Sequence, residues 1–125
     1  MLHVGFEHTM KKYKLRSDQI KKLVEGLGAC FASDRILVDG QKVGYMYREI
    51  PDPKKEYPDS GWTFMAGDET QEYADNPDNW AIYNVNTVCN YDSEIIPDLE
   101  ARPPIAFGRD PKTGQFVEEE LEPPE

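Results

Sequence analysis

The sequence is poor in the side chains that most enzymes and metalloproteins use. Its 125 residues include two cysteines and two histidines, and both histidines, His3 and His8, lie within the first ten residues. A serine or cysteine nucleophile therefore has no obvious histidine base elsewhere in the chain. Cys30 and Cys89 form neither a CxxC metal pair nor a disulfide framework. The glycines match neither GxGxxG nor GxxxxGK[ST], the spacings of phosphate-binding loops.

These absences predict a protein without catalytic residues, metal or cofactor. The two histidines are interpreted as exposed terminal side chains, and a shared metal or acid–base role is the alternative. The two cysteines are expected to be buried, reduced thiols, and a single bridge between them is the alternative.

Positive charge is also scarce over most of the chain. The net charge is −10, although residues 1–22 carry six basic and two acidic side chains, so the other 103 residues carry −14. A negative surface repels phosphate backbones and anionic lipid heads. We therefore expect neither nucleic acid nor a membrane as partner, and we interpret the basic stretch as a solvated helix face.

Long apolar runs are missing as well. Nothing resembles the apolar core of a signal peptide, which is about 7–15 residues long, or a membrane span, so we expect a cytoplasmic protein. The hydrophobic content is only 38%, but two tryptophans, seven tyrosines and five phenylalanines predict a compact core. We expect an extended arm at residues 1–14, a single α+β domain at 15–119 and a disordered acidic tail at 120–125.

Local patterns predict one N-terminal helix followed by short strands. Ser17 and Asp18 are good N-terminal caps. Apolar residues recur at helical spacing over 20–27, and Gly26 and Gly28 offer left-handed stop positions. The pattern predicts an amphipathic helix of about three turns.

Beyond this helix, strand-like runs are separated by turn-forming residues. They lie at 29–33, 36–38, 42–50, 61–66, 80–85, 105–109 and 115–119. Short helical stretches are predicted near 68–75, 86–91 and 95–99. The predicted fold is α+β, with the N-terminal helix followed by a mainly antiparallel β-sheet of about five to six strands and one or two short helices.

The acidic stretch 68–78 allows two interpretations. Its carboxylates suit a hard cation such as Ca²⁺, but their spacing does not match an EF-hand loop. We interpret the stretch as a solvated acidic face, with a cation site as the alternative.

Aromatic and polar side chains near the predicted turns indicate a partner-binding surface. Tyrosine, tryptophan and arginine are the residues most enriched at interface hot spots. The candidate set is Tyr45, Tyr47, Arg48, Trp62, Asp68, Glu69, Tyr73, Asn79, Tyr83 and Asn84. The alternative is that about half of these rings belong to the core, which strand alternation favours for Trp62 and Tyr83.

Four ordered motifs carry a family resemblance. They are VGYMYRE at 43–49, DSGWTFMAGDE at 59–69, DNPDN at 75–79 and IYNVNTVCNYD at 82–92. With these motifs the chain, from about residue 29 to 117, resembles the bacterial immunity protein 33 family, formerly catalogued as a family of unknown function. The resemblance implies a small α+β cytoplasmic domain of polymorphic toxin systems that binds and blocks a cognate protein toxin. The family has no established catalytic residues to carry over.

Three function classes follow from these observations. The first is a non-catalytic immunity protein, and the second is a small-molecule-binding or regulatory module. The third, an enzyme of unrecognised type, requires a closed pocket with convergent carboxylates. The sequence specifies neither the toxin nor the oligomeric state.

Overall fold

The computed structural model describes residues 11–121. The predicted arm, 1–14, lies outside this range except for its last four residues, and so do His3 and His8. The predicted tail, 120–125, lies outside it except for its first two residues.

Six strands and three short α-helices follow one another along the described range. The strands are β1 (Ala29–Ser33), β2 (Tyr45–Arg48), β3 (Asp59–Met65), β4 (Trp80–Asn84), β5 (Ile105–Arg109) and β6 (Phe116–Glu119). The α-helices are α1 (Asp34–Leu37), α2 (Gln71–Asp75) and α3 (Val85–Tyr91), and the 3₁₀ turns are Ser17–Gln19, Pro77–Asn79 and Ser93–Asp98.

All six strands form one sheet in the order β4-β1-β3-β2-β5-β6. The α+β class and the number of strands are confirmed, but the predicted mainly antiparallel sheet is a mixed one. β1 pairs with β3 in parallel, with Phe31 opposite Thr63, while the other neighbours are antiparallel. A parallel pair needs a crossover connection, and here the connection runs through α1 and β2.

One face of the sheet, the inner face, carries the core. Side chains alternate along β3, so Trp62 and Phe64 point inward to the layer that contains α1, α3 and the 3₁₀ turn Ser93–Asp98. The buried cluster comprises Cys30, Ala32, Ile36, Leu37, Val43, Met46, Trp62, Phe64, Val85, Val88, Cys89, Ile95, Leu99 and Phe107. The helices therefore stabilise one side of the sheet, and the opposite side, the outer face, has no comparable layer among residues 11–121.

The predicted N-terminal amphipathic helix is wrong. Only the turn Ser17–Gln19 is helical, and residues 20–28, the strap, run without regular structure along α3. Asn86 replaces the missing helical hydrogen bonds: its Oδ1 accepts from Leu23 N at 2.7 Å and Val24 N at 3.0 Å, and its Nδ2 donates to Lys21 O. A helix of this length is only marginally stable by itself in water. The conformation of the strap is therefore determined by its side-chain partners on α3.

The strand predicted at 36–38 is also wrong, because this segment lies in α1. Ser33 Oγ caps the helix by accepting from Arg35 N at 3.0 Å. The Asp39-Gly40 pair then ends the helix and forms no hairpin, with Gly40 N donating to Ile36 O. The Ser33-Asp34 pair is a helix N-cap signal. The apolar residues 36–38 that follow it suggested a strand instead.

A buried ion pair joins the helical layer to the sheet. The carboxylate of Asp92, directly after α3, has no exposed side-chain area and binds Arg109 Nη2 at 2.5 Å. The same carboxylate accepts from the N–H groups of Val43 and Glu94, and Arg109 Nε donates to Val43 O at 2.8 Å. The guanidinium also lies 4.3 Å from the ring centroid of Phe116 on β6. One charged pair thus connects α3, β5, β6 and Val43, which lies two residues before β2.

We predict that Asp92→Asn lowers the free energy of unfolding by about 3 kcal/mol, because Arg109 then stays buried without its main counter-ion. Glu94→Gln is the matched control, since Glu94 binds the same guanidinium but its side chain is 63% exposed. An exposed partner should contribute no more than about 1 kcal/mol. Urea unfolding of both variants measures the difference, and equal losses would contradict the assigned importance of Asp92.

We also predict that Asn86→Ala releases the strap without unfolding the core. The amides of Leu23 and Val24 lose their acceptor and should exchange with solvent about tenfold faster or more, whereas amides of β3 should not change. Amide hydrogen exchange followed by NMR measures this. Asn90→Ala is the control for these two amides, because Asn90 binds the strap through the N–H and carbonyl groups of Lys21 and makes no hydrogen bond to Leu23 or Val24 within residues 11–121. Unchanged exchange at Leu23 and Val24 would show that the strap is held by other contacts.

Candidate functional site on the outer face of the sheet

A row of side chains crosses the outer face from strand to strand. Phe31 on β1 lies opposite Ile82 on β4 and Thr63 on β3, and Thr63 in turn lies opposite Tyr47 on β2. Residues in register on neighbouring strands present their side chains to the same face. Four strands therefore contribute to one surface, which runs from the edge strand β4 to β2.

The outer face and its rim hold four of the six exposed large apolar side chains of the described residues. There are six such residues, and Phe31 (39% exposed), Ile82 (48%) and Val117 (53%) lie on the outer face. Ile50, 72% exposed, lies at its rim just after β2. Single exposed apolar residues are ordinary, but a group on one face is typical of an interaction site.

Three members of this row, Phe31, Thr63 and Tyr47, form the floor of a groove. Its larger cavity has a volume of about 520 Å³ and is lined by Phe31, Tyr47, Glu49, Thr63, Met65, Ala74, Pro77 and Trp80. A second cavity of about 230 Å³ adjoins it and shares Phe31, Glu49 and Thr63. We use "the groove" for these two cavities together.

One wall of the groove is the segment that contains α2. Thr70 caps this helix by accepting from Tyr73 N at 3.1 Å. The indole Nε1 of Trp80 donates to Ala74 O at 3.0 Å, and Asn79 Nδ2 donates to Tyr73 O at 2.9 Å. Trp80 thus holds α2 against the sheet while its ring lines the groove.

The other wall is the proline-rich loop between β2 and β3. The carboxylate of Asp59 accepts from the N–H groups of Asp52 and Gly61, each at 3.1 Å, and lies 3.6 Å from Lys55 Nζ. Burial acts to raise the pKa of Asp59, but the two hydrogen bonds and Lys55 outweigh it, and the pKa falls below its usual value. The ammonium of Lys55 also lies 5.1 Å from the ring centroid of Phe31. A cation therefore already sits over one end of the groove floor.

The sequence-predicted surface residues do not all lie on this face. Tyr45 and Tyr47 do, with their ring centroids 6.0 Å apart. Trp62 is 1% exposed and donates from Nε1 to Leu99 O at 3.0 Å, so it belongs to the core, as strand alternation favoured. Arg48 also points inward, where it donates to the carbonyls of Ser60 and Ala101. Tyr83 packs against the core cluster.

The remaining predicted residues have structural partners around α1, α2 and α3. Glu69 accepts from Ser33 Oγ at 2.6 Å and from the N–H groups of Ala66 and Gly67. Asp68 pairs with Arg35 at 2.5 Å, which holds the pKa of Asp68 below its usual range.

Tyr73 and Asn79 belong to the α2 wall, as described above. Asn84 caps α3 by accepting from Asn86 N at 2.8 Å. Within residues 11–121, which include the acidic stretch 68–78, no three His, Cys, Asp or Glu side chains are grouped as metal ligands would be.

Sequence reasoning missed Phe31, Glu49 and Ile82. Phe31 lies in a short apolar run that predicts a buried strand, and nothing in the run indicates that its middle residue faces outward. Alternation along β2 places Glu49 on the face of Tyr47, which was an available signal. The position of Ile82 opposite Phe31 depends on the β1–β4 pairing.

The two thiols are buried and form no disulfide. Burial and the neighbouring Cys89 raise the pKa of Cys30 far above its usual value, against a smaller opposing effect of a hydrogen bond to the backbone of Tyr83. Burial raises the pKa of Cys89 to about 11. Because the thiolate is the nucleophile, neither cysteine is activated near neutral pH.

None of the helices within residues 11–121 has the length and apolar character needed to cross a bilayer. A family model described as "Immunity protein Imm33 domain" matches residues 30–120. No curated protein and no solved structure matches the chain.

We predict that a disulfide-exchange reagent such as dithionitrobenzoate labels neither cysteine of the native protein at pH 8, because both thiols are buried and protonated. Both should react at once in guanidinium chloride. Absorbance of the released thionitrobenzoate measures the reaction. Rapid labelling of the native chain would contradict the assigned burial and reopen a nucleophilic role.

Proposed function

We propose, on the premise that the chain belongs to the immunity protein Imm33 domain family, that it binds a cognate protein toxin and blocks it without catalysis. The single observation that carries the choice of surface is the apolar groove on the outer face. A sheet that buries one face and leaves large apolar side chains on the other has a surface that a partner can cover with a gain in free energy.

The groove has the composition of a protein-binding surface. Its floor combines Phe31, Tyr47 and Trp80, and aromatic side chains are enriched at the centres of protein–protein interfaces. The floor lies on regular strands, which keep the contact residues in place before binding. A preorganised surface loses less conformational entropy when a partner binds.

Net charge supports the same function. At −10 the chain attracts basic proteins over distances of about a Debye length and raises their association rate. Toxins that act on nucleic acid need positive charge around their active sites, so they are one class of partner that this field favours.

The small-molecule alternative rests on the volume of the larger cavity. About 520 Å³ lies within the range of roughly 300–1,000 Å³ that is common for ligand pockets. A thermal-shift screen across metabolite classes distinguishes the two functions. A reproducible rise in Tm with one class favours the small-molecule function, and none across all classes favours the immunity function.

We predict that Phe31→Ala abolishes protection of cells that co-express the cognate toxin. The ring of Phe31 is 39% exposed on the groove floor, and loss of such an anchor should weaken the complex about tenfold or more. Leu23→Ala is the matched control, since Leu23 is 45% exposed but lies on the strap. Growth assays and calorimetry with an inactivated toxin measure the effect.

Two results would count against the proposal. Wild-type chain that neither binds the toxin nor restores growth removes the immunity function. Equal losses from Phe31→Ala and Leu23→Ala, with both variants folded by circular dichroism, remove the groove as the binding surface.

A further inference from the structure

We infer that the groove receives a basic segment of the partner protein, in which one lysine or arginine pairs with Glu49 while apolar neighbours cover Tyr47 and Phe31. The inference rests on the proposed function, because it names the chemistry of the partner at the same surface. Three features support it. The carboxylate of Glu49 is unpaired, Lys55 already contacts a ring and a carboxylate of the groove, and the charge around the groove is negative.

The carboxylate of Glu49 is unpaired, whereas the two other carboxylates that line the groove accept hydrogen bonds. Its side chain lines both cavities and is exposed, and within residues 11–121 it has no hydrogen bond or ion pair. By contrast, Asp59 binds two N–H groups and Lys55, and Asp52 Oδ1 accepts from Lys54 N. Of the three carboxylates that line the groove, Glu49 alone has neither a hydrogen bond nor an ion pair within residues 11–121, and Asp52 has a local hydrogen bond but no counter-ion.

The position of Glu49 is set by the backbone. Its N–H donates to Gly61 O at 2.9 Å. Gly61 has a φ of 85°, and a Cβ there would lie 2.0 Å from Glu49 O, so only glycine permits this approach. The close contact holds Glu49 at the end of β2, two residues after Tyr47 and on the same face.

Lys55 shows how a cation fits this surface. Its Nζ lies 5.1 Å from the ring centroid of Phe31 and 3.6 Å from the carboxylate of Asp59. An ammonium that contacts both a ring face and a carboxylate gains from both interactions. Tyr47 and Glu49 offer a second ring and carboxylate, and neither is paired with a cation from residues 11–121.

Charge selects a cationic occupant over the alternatives. Three carboxylates and one ammonium line the groove, and the whole chain carries −10. A neutral or acidic segment that covered Glu49 would bury its charge without compensation, which is strongly unfavourable. Nucleic acid would bring phosphates to the same carboxylates. The apolar floor, with Met65 and Trp80, requires apolar side chains next to the cation.

The inference is tested with the full chain, labelled with ¹⁵N, and two synthetic probes. One is a soluble twelve-residue peptide that combines leucine, glycine and arginine, and the other has glutamate in place of arginine. We expect the arginine peptide to shift the amide resonances of Tyr47, Glu49 and Thr63 at moderate ionic strength. The glutamate peptide should shift none of them.

Two variants with the same change in net charge provide the control. Glu49→Gln should weaken binding of the arginine peptide about three- to fivefold, as expected for one partly exposed ion pair. Glu100→Gln should change it less than twofold, because Glu100 is exposed next to Leu99 on the opposite side of the sheet. Resonance shifts spread over the whole acidic surface, equal effects of the two variants, or equal binding of both peptides would overturn the inference.

Two further results separate this inference from the proposed function. If the toxin binds and Phe31→Ala prevents binding while Glu49→Gln does not weaken it, the inference fails and the immunity function stands. If the wild-type chain fails to neutralise the toxin, the function fails, and the peptide titration still decides which chemistry the groove accepts. Dimerisation of the chain alone that Glu49→Gln abolishes would assign the groove to a second copy and overturn the inference.

Discussion

The buried ion pair between Asp92 and Arg109 is the interaction on which the rest of the architecture depends. Asp92 closes α3, and Arg109 ends β5, so the pair fixes the helical layer to the half of the sheet that contains β2, β5 and β6. Both charges have further partners, including Val43 N for the carboxylate and Gly114 O for the guanidinium. A buried pair with its remaining hydrogen-bonding capacity satisfied specifies one arrangement more strictly than apolar packing does.

Because the helices pack on one side only, the two faces of the sheet have different roles. The inner face buries Trp62, Phe64 and Met46 and supplies most of the apolar burial. The outer face keeps Phe31 and Ile82 partly in water, which contributes little to folding but provides area for a partner. Within residues 11–121, α2 and the proline-rich loop flank the groove on that face. They form the walls of the groove because Trp80 holds one and Asp59 holds the other.

Part of the candidate site was accessible from the sequence and part was not. Tyr45 and Tyr47 belong to the candidate surface predicted from residue type and nearby turns, and both lie on the outer face. Trp62 and Arg48 were included for their residue types, yet both point inward, since they occupy the opposite phase of the same alternation. Residue type identifies side chains suited to an interface. Whether such a side chain is available for binding depends on whether strand alternation places it on the outer face or on the inner face. Phe31 and Ile82 were not foreseen because their exposure depends on pairings distant in sequence.

The sequence by itself determined the α+β class, most strand positions, the acidic character and the family resemblance, because these depend on local periodicity, turn residues and ordered motifs. Tertiary structure decided three features: the parallel pairing of β1 with β3, the extended strap in place of an N-terminal helix, and the outward face of Phe31. Each depends on contacts between distant segments, such as those of Asn86 with Leu23 and Lys21. A local sequence pattern indicates which secondary structure a segment prefers. The residues whose contacts override that preference lie elsewhere in the chain, so the pattern does not include them.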